Sequence, residues 1–314
     1  MPRIVCLLVA LSLPAAAQAQ STPQPENIPA AASAGPEAPA SAAGDLQVDP
    51  PEQTDDTRLL RDPETARYFR VNSDAYSTVS VARGLSMHKP MYVYPLSYSP
   101  DFEGDETEFI FQLSAKYRLF GKPLYFAYTQ KSFWQLYNQD ESRPFRETNY
   151  NPEIFYRFVP EDAEKWHHWG ADIGLEHESN GEALPLSRSW NRIYFAAFKA
   201  EGKNLLYLKT WYRIPDPKKE TPDDPKGDDN PDIYKYYGYG EIHYARQIGK
   251  QQLLSSMIRG NPSTGKGGMS LSWSMPNDSG TLFYSVSLWH GYGESLIDYN
   301  HSVTRLSFGI MLSR

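Results

Sequence analysis

The sequence predicts an all-β chain, a twelve-stranded antiparallel transmembrane β-barrel of the outer membrane. Three observations carry this. The 314 residues include 22 Tyr, 14 Phe and 7 Trp, none of them before Tyr68, yet 22% of residues are charged and mean hydropathy is −0.58. A body so aromatic and still hydrophilic suits a sheet with one face in lipid, the other wet, and aromatic girdles at both interfaces. From Pro90 onward the hydrophobic pattern has period two rather than 3.6. After the first twenty residues no run of 18 apolar residues occurs, which excludes transmembrane helices.

The elements follow in chain order. Residues 1–19 read as a secretory signal: Arg3 supplies positive charge, Ile4 to Leu13 a short apolar stretch, and Ala17-Gln18-Ala19 a cleavage motif. The apolar stretch falls well short of the ~20 residues a spanning helix needs. The one cysteine, Cys6, lies inside it, so the rest of the chain has no disulfide framework and no cysteine-based metal site. Residues 20–57 contain no aromatic, Lys or Arg and carry seven Pro and eight Ala between 23 and 51. That composition cannot bury a core and reads as a disordered linker. Residues 58–89 form an N-terminal segment in which a short helix fits Arg58–Phe69. The barrel domain is 90–314.

Twelve alternating segments fall at 90–98, 108–119, 123–131, 152–158, 168–179, 190–199, 204–214, 232–247, 252–260, 268–275, 281–290 and 302–312. In the second, Phe109, Phe111, Leu113, Ala115, Tyr117 and Leu119 alternate with Gln112, Ser114, Lys116 and Arg118. Most segments exceed the ~5–6 residues typical of soluble strands. Their connections alternate in length. Those at 99–107, 132–151, 180–189, 215–231, 261–267 and 291–301 are mostly long, and those at 120–122, 159–167, 200–203, 248–251 and 276–280 mostly shorter. External loops and periplasmic turns have this pattern, so odd strands run outward. The formal charge of −7, with no basic stripe, argues against a nucleic-acid partner.

Fold alone gives no function. The inward residues Arg118, Arg157, Glu176, Arg192 and Lys209 could line the pore of a porin-like or structural barrel, or fill it. The discriminating stretch is 171–195. Alternation there puts Ala171, Ile173, Leu175, His177 and Ser179 on the lipid face, near the outer end of an outgoing strand. On the returning strand Asn191, Ile193, Phe195 and Ala197 share a face, which makes Asn191 a cross-strand neighbour of His177. Polar groups on a lipid face are costly unless they bond each other or act. Ser, His and a polar orienting group are the parts of nucleophilic acyl transfer. Spacing alone leaves an interfacial polar belt as the alternative. His167, His168, His290 and His301 lack a third metal ligand nearby and read as surface residues. The acidic 215–231 stretch reads as a solvated external loop able to attract a cation.

His177-Glu178-Ser179-Asn180-Gly181, followed by Ser187-Arg188-Ser189-Trp190-Asn191, closely resembles the active-site region of the bacterial outer membrane phospholipase A family. The blocks at 128–155, 229–236 and 291–300 agree, so the resemblance covers roughly 90–314. It implies a twelve-stranded barrel that hydrolyses the sn-1 and sn-2 acyl esters of phospholipids and lysophospholipids as a calcium-dependent homodimer, with its active site at the outer leaflet. By motif match Ser179 is the nucleophile, His177 the base and Asn191 the orienting residue. The family's dimer calcium site maps to the Glu182 main-chain oxygen, the Ser187 hydroxyl and, from the second subunit, the Ser142 main-chain oxygen. Its monomer calcium site maps to Asp229, and Gln130 maps to a glutamine in the dimer interface. This chain departs from the pattern at Glu182 and Leu184, and its last residues, Met311-Leu312-Ser313-Arg314, lack the terminal aromatic common in such barrels.

Overall fold

The computed structural model describes residues 76–314, apart from 82–83, 161–164, 222–223, 225, 250 and 280. These lie in one compact unit, Gln53–Arg314. The signal at 1–19, the linker at 20–57 and the helix expected at Arg58–Phe69 lie outside the described residues.

Thirteen strands form among the described residues. They are β1 Leu85–Met87, β2 Met91–Tyr98, β3 Phe109–Leu119, β4 Leu124–Trp134, β5 Phe145–Phe158, β6 Trp169–Ser179, β7 Ser189–Glu201, β8 Asn204–Ile214, β9 Gly240–Ile248, β10 Gln252–Asn261, β11 Lys266–Pro276, β12 Phe283–Tyr292 and β13 Ser302–Ser313. Strands β2 to β13 pair with their sequence neighbours, and β13 pairs with β2, which closes the ring. The thirteenth piece, β1, adds no position to it. It lies on the same side of β3 as β2, with Met87 opposite Ala115 and Tyr92 opposite Gln112. The break between β1 and β2 contains Pro90, which has no N–H for a ladder. The barrel therefore has the twelve antiparallel positions the alternation predicts.

The main departures from the sequence reading fall in three places. Strand β5 starts at Phe145, not 152, and β4 runs on to Trp134, so the intervening loop shrinks to 135–144. The 232–247 segment is not one strand. A helical turn, α1, occupies Tyr234–Tyr237, with Gly238 N donating to Tyr234 O and Gly238 at φ +67. β10 and β11 are joined by the short turn 262–265, not a long loop.

Alternation sends apolar side chains outward: Ile173, Leu175, Ile193, Phe195, Ile242, Ile258 and Leu271 are all exposed. So continuous an apolar surface belongs in lipid. Aromatic residues flank it: Tyr117, Phe120, Tyr156, Phe158 and Trp166 near one rim, Tyr98, Phe145 and Tyr212 near the other. The lumen is polar and crossed by paired charges around a cavity of about 360 Å³. Arg157 grips Asp172 through two hydrogen bonds of 2.8 and 2.7 Å. Lys209 and Arg192 both reach Glu176, at 2.9 and 3.1 Å. Arg305 bridges Glu108 and Glu294 at 2.6 and 2.9 Å. Three of the candidate pore residues, Arg157, Arg192 and Lys209, thus neutralise buried carboxylates, one of which is the fourth, Glu176. The fifth, Arg118, donates to Lys122 O at the β3–β4 turn. Gly174 makes room for this packing, because a Cβ there would lie 2.7 Å from both Phe155 Cβ and the Tyr194 ring.

Candidate active site

Strands β6 and β7 form an antiparallel hairpin whose register places Leu175 opposite Ile193, His177 opposite Asn191 and Ser179 opposite Ser189. The outward parity expected for 177, 179 and 191 is what this register produces. His177 Nδ1 lies 2.9 Å from Asn191 Oδ1. With the amide oxygen accepting, Nδ1 carries the proton and Nε2 keeps its lone pair. Ser179 is two residues along the same strand and half-buried, as His177 is. The hydrogen bonds of the pair do not include one from Ser179 Oγ to His177; contacts of this kind commonly tighten only with substrate.

The lumen side fixes both strands. Glu178 Oε2 accepts from Trp190 Nε1 at 3.0 Å and from Arg192 Nη2 at 2.9 Å. The Arg192 guanidinium stacks 3.8 Å above the Trp190 ring centroid. Beyond Ser179 the 180–188 loop is tied by one residue. Asn180 Oδ1 accepts from Glu182 N and Arg188 N, and its Nδ2 donates to Leu186 O. Gly181, at φ +70, sits where a Cβ would come within 3.3 Å of the Tyr150 ring. Tyr150 itself pairs with Ser179 across β5 and β6.

The loop after β8 packs against this turn. Ser187 Oγ donates to Asp229 Oδ2 at 2.6 Å. Asp229 Oδ1 is 2.5 Å from Lys219 Nζ. Buried Asn230 accepts from Ser189 N at 3.1 Å, and Asp228 accepts from Arg213 at 2.6 Å. Burial and the neighbouring Asp228 raise the Asp216 carboxyl above its ordinary value, against the pull of Arg213. Two of the four candidate calcium residues, Ser187 and Asp229, are therefore brought together, with Glu182 on the same loop as Ser187. Ser142, at φ +59, belongs to the separate 135–144 loop. Among the described residues no group of three His, Cys, Asp or Glu is arranged around one point for a metal. The donors present are hydroxyl, carboxylate and main-chain oxygens, a set that suits a hard cation such as calcium. Gln130 lies on the outward face of β4, between Leu113 and Tyr150 of the adjacent strands.

Sequence reasoning missed Asn230, Lys219 and Asn151 as parts of this region.

Fold and site together define a transmembrane β-barrel of the outer membrane with a histidine–asparagine pair and a serine on its lipid-facing wall. The family model described as Phospholipase A1 matches residues 71–312. The chain belongs to that family. It is 42% identical over 188 residues to a phospholipase A1 of Klebsiella pneumoniae, a match covering 60% of this chain and 62% of that one. It is 38% identical over 224 residues to a phospholipase A1 of Proteus vulgaris, covering 69% and 73%. The chain thus spans about three-fifths of the first of these relatives. Among solved structures, the Escherichia coli outer membrane phospholipase A superposes with TM-score 0.63 at 34% identity, covering 73% of this chain and 98% of that one. A calcium-bound dimer of the Salmonella typhi outer membrane phospholipase matches with the same score and identity, covering 73% and 92%.

Proposed function

We propose that this chain is a phospholipase that hydrolyses the sn-1 and sn-2 acyl esters of phospholipids and lysophospholipids at the outer leaflet, with Ser179, His177 and Asn191 as its catalytic residues. The observation that carries the reading is the 2.9 Å contact of His177 Nδ1 with Asn191 Oδ1 on the lipid-facing wall. The bond offsets part of the cost of a polar pair on that face and orients the imidazole beside Ser179, where it can act on an ester in the membrane.

In this reading His177 Nε2 takes the Ser179 proton as Oγ attacks the ester carbonyl. The same nitrogen then protonates the departing glycerol oxygen, releasing the shortened lipid. A water, deprotonated in turn by His177, attacks the acyl-serine ester and frees the fatty acid. Asn191 holds the imidazole tautomer but supplies no negative charge beside the imidazolium. The Glu182 main-chain oxygen and Ser187 Oγ, with the Ser142 main-chain oxygen of a second subunit, would hold the calcium of the dimer, and Asp229 would hold that of the monomer. Calcium, when bound, supplies positive charge and ordered water near the developing oxyanion. The calcium-bound dimer of the Salmonella typhi relative supports this part, and a solved E. coli structure described as an asparagine-to-alanine active-site mutant supports the role given to Asn191. Gln130, an amide on the outer face between Leu113 and Tyr150, fits burial against a second copy of the barrel.

The test is hydrolysis of micellar phospholipid by purified protein, measured with calcium and again with a chelator. The reading predicts hydrolysis with calcium and its loss on chelation. Undiminished hydrolysis in chelator removes the metal from the account, and no hydrolysis in either condition removes the enzyme.

A further inference from the structure

The β5–β6 ladder is interrupted at the level of the reactive histidine. Pairing holds at Tyr150–Ser179 and resumes at Glu153–Glu176, skipping the positions where Pro152 faces His177. On its other side Pro152 pairs without a break with Tyr128 of β4. The hydrogen bond that proline forfeits is therefore one to β6, and by register its acceptor is the His177 carbonyl. A buried acceptor without a donor is costly, and this one belongs to the residue whose side chain must be held most firmly. Asn151 fills the gap. It points into the lumen, is 8% exposed, and its Nδ2 donates to His177 O at 2.8 Å. Asn151 is fixed in turn, because its Oδ1 accepts from Lys89 Nζ at 2.6 Å. Lys89 comes from the break between β1 and β2 and also pairs with Glu153 at 3.0 Å.

We propose that Asn151 is a positioning residue for His177, replacing with a side-chain amide the main-chain donor that Pro152 lacks. The inference rests on the reading of His177 as the base. The imidazole faces lipid while its backbone is set from inside the barrel, so a lumen residue that never meets substrate governs the geometry outside. The same register makes His177–Asn191 a non-hydrogen-bonded pair of the β6–β7 ladder, since the His177 main-chain groups face β5. Side chains approach more closely in such pairs, as the His177–Asn191 bond requires.

The experiment is a rescue. Full-length Asn151→Ala, Pro152→Ala and the double variant are compared with wild type in kcat, KM and the rate at which a sulfonyl fluoride labels Ser179. Asn151→Ala should lower kcat and labelling on the order of tenfold with KM unchanged. Adding Pro152→Ala restores an N–H opposite His177 O and should return both to within about threefold of wild type. A merely structural role would make the double variant worse than the single. If Asn151→Ala does not fold, judged by heat-modifiable gel mobility, Asn151→Asp removes the donor and keeps the acceptor for Lys89, and is paired with Pro152→Ala in the same way. The proposal is overturned if the single variant stays within about twofold of wild type, or if the second substitution gives no rescue. Wild-type protein that is neither active nor labelled at Ser179 would instead overturn the reading of the site.

Discussion

Ser187 and Asp229 meet across two loops, the hydroxyl donating to the carboxylate at 2.6 Å. The second carboxylate oxygen is held at 2.5 Å by the ammonium of Lys219, both side chains being largely buried. A tethered cation thus sits on the oxygen donors assigned to calcium.

On the proposed assignment of Asp229 to calcium, the metal competes with Lys219 for that carboxylate. Lys219→Met should tighten calcium binding roughly threefold to tenfold, and Asp229→Asn should weaken it. Titration calorimetry on detergent-solubilised protein measures both. Equal affinities in Lys219→Met and wild type would show that the ammonium and the metal use different atoms.

Asn191 has one bond to make, to His177 Nδ1. Asn191→Ala frees the imidazole to rotate and to change tautomer, so kcat should fall on the order of tenfold to a hundredfold with KM little altered. Steady-state kinetics on micellar substrate checks this. A change confined to KM would make Asn191 a lipid contact instead.

Gly174 is a packing requirement. Gly174→Val drives side-chain carbons into Phe155 Cβ and the Tyr194 ring, each 2.7 Å from a Cβ at that position. Tyr194 also holds Glu153 through its hydroxyl at 2.9 Å. The barrel should lose about 1–3 kcal/mol or more, read as a lower midpoint of urea unfolding in micelles. An unchanged midpoint would mean the lumen rings move aside freely.

The acidic loop has a pH signature. Burial and Asp228 raise the Asp216 carboxyl, so the folded loop favours its protonated form. That contribution is present below the ordinary aspartate range and is lost as pH rises through the raised value. Thermal unfolding of wild type and Asp216→Asn, compared at about pH 3 and about pH 7, should show wild type losing ground to the variant at the higher pH. A difference that does not vary with pH would contradict this.

Where the two faces of a strand differ, the sequence reads correctly. Ile173, Leu175, Ile193 and Phe195 against Asp172, Glu176 and Arg192 set the parity that puts His177 and Asn191 on one face. The reading fails where that contrast vanishes. The first half of β5 sends Glu147, Asn149 and Asn151 inward and Thr148 and Tyr150 outward, with Arg146 at a register shift paired to buried Glu108, so polar residues lie on both sides and its seven residues pass for loop. At 234–239 the tyrosine-rich run suggests a strand, yet hydrogen bonds from Tyr237 N to Ile233 O and from Gly238 N to Tyr234 O wind it into a turn. The Asn151–His177 bond was beyond reach for another reason: it depends on which strand Pro152 turns its nitrogen toward, and only the register decides that. The chemistry named for the site came from motif resemblance, because spacing alone could not separate a triad from a polar belt.

Covalent labelling tests most directly whether Ser179 is a nucleophile on the lipid face. Wild type, Ser179→Ala and His177→Ala proteins, all with barrel-like heat-modifiable mobility, are treated with a sulfonyl fluoride and assayed on micellar phospholipid with calcium. The account predicts one adduct, on Ser179, in wild type, with labelling and hydrolysis both absent from Ser179→Ala and nearly absent from His177→Ala. Hydrolysis undiminished in Ser179→Ala, or an adduct on another residue that tracks activity, would contradict it.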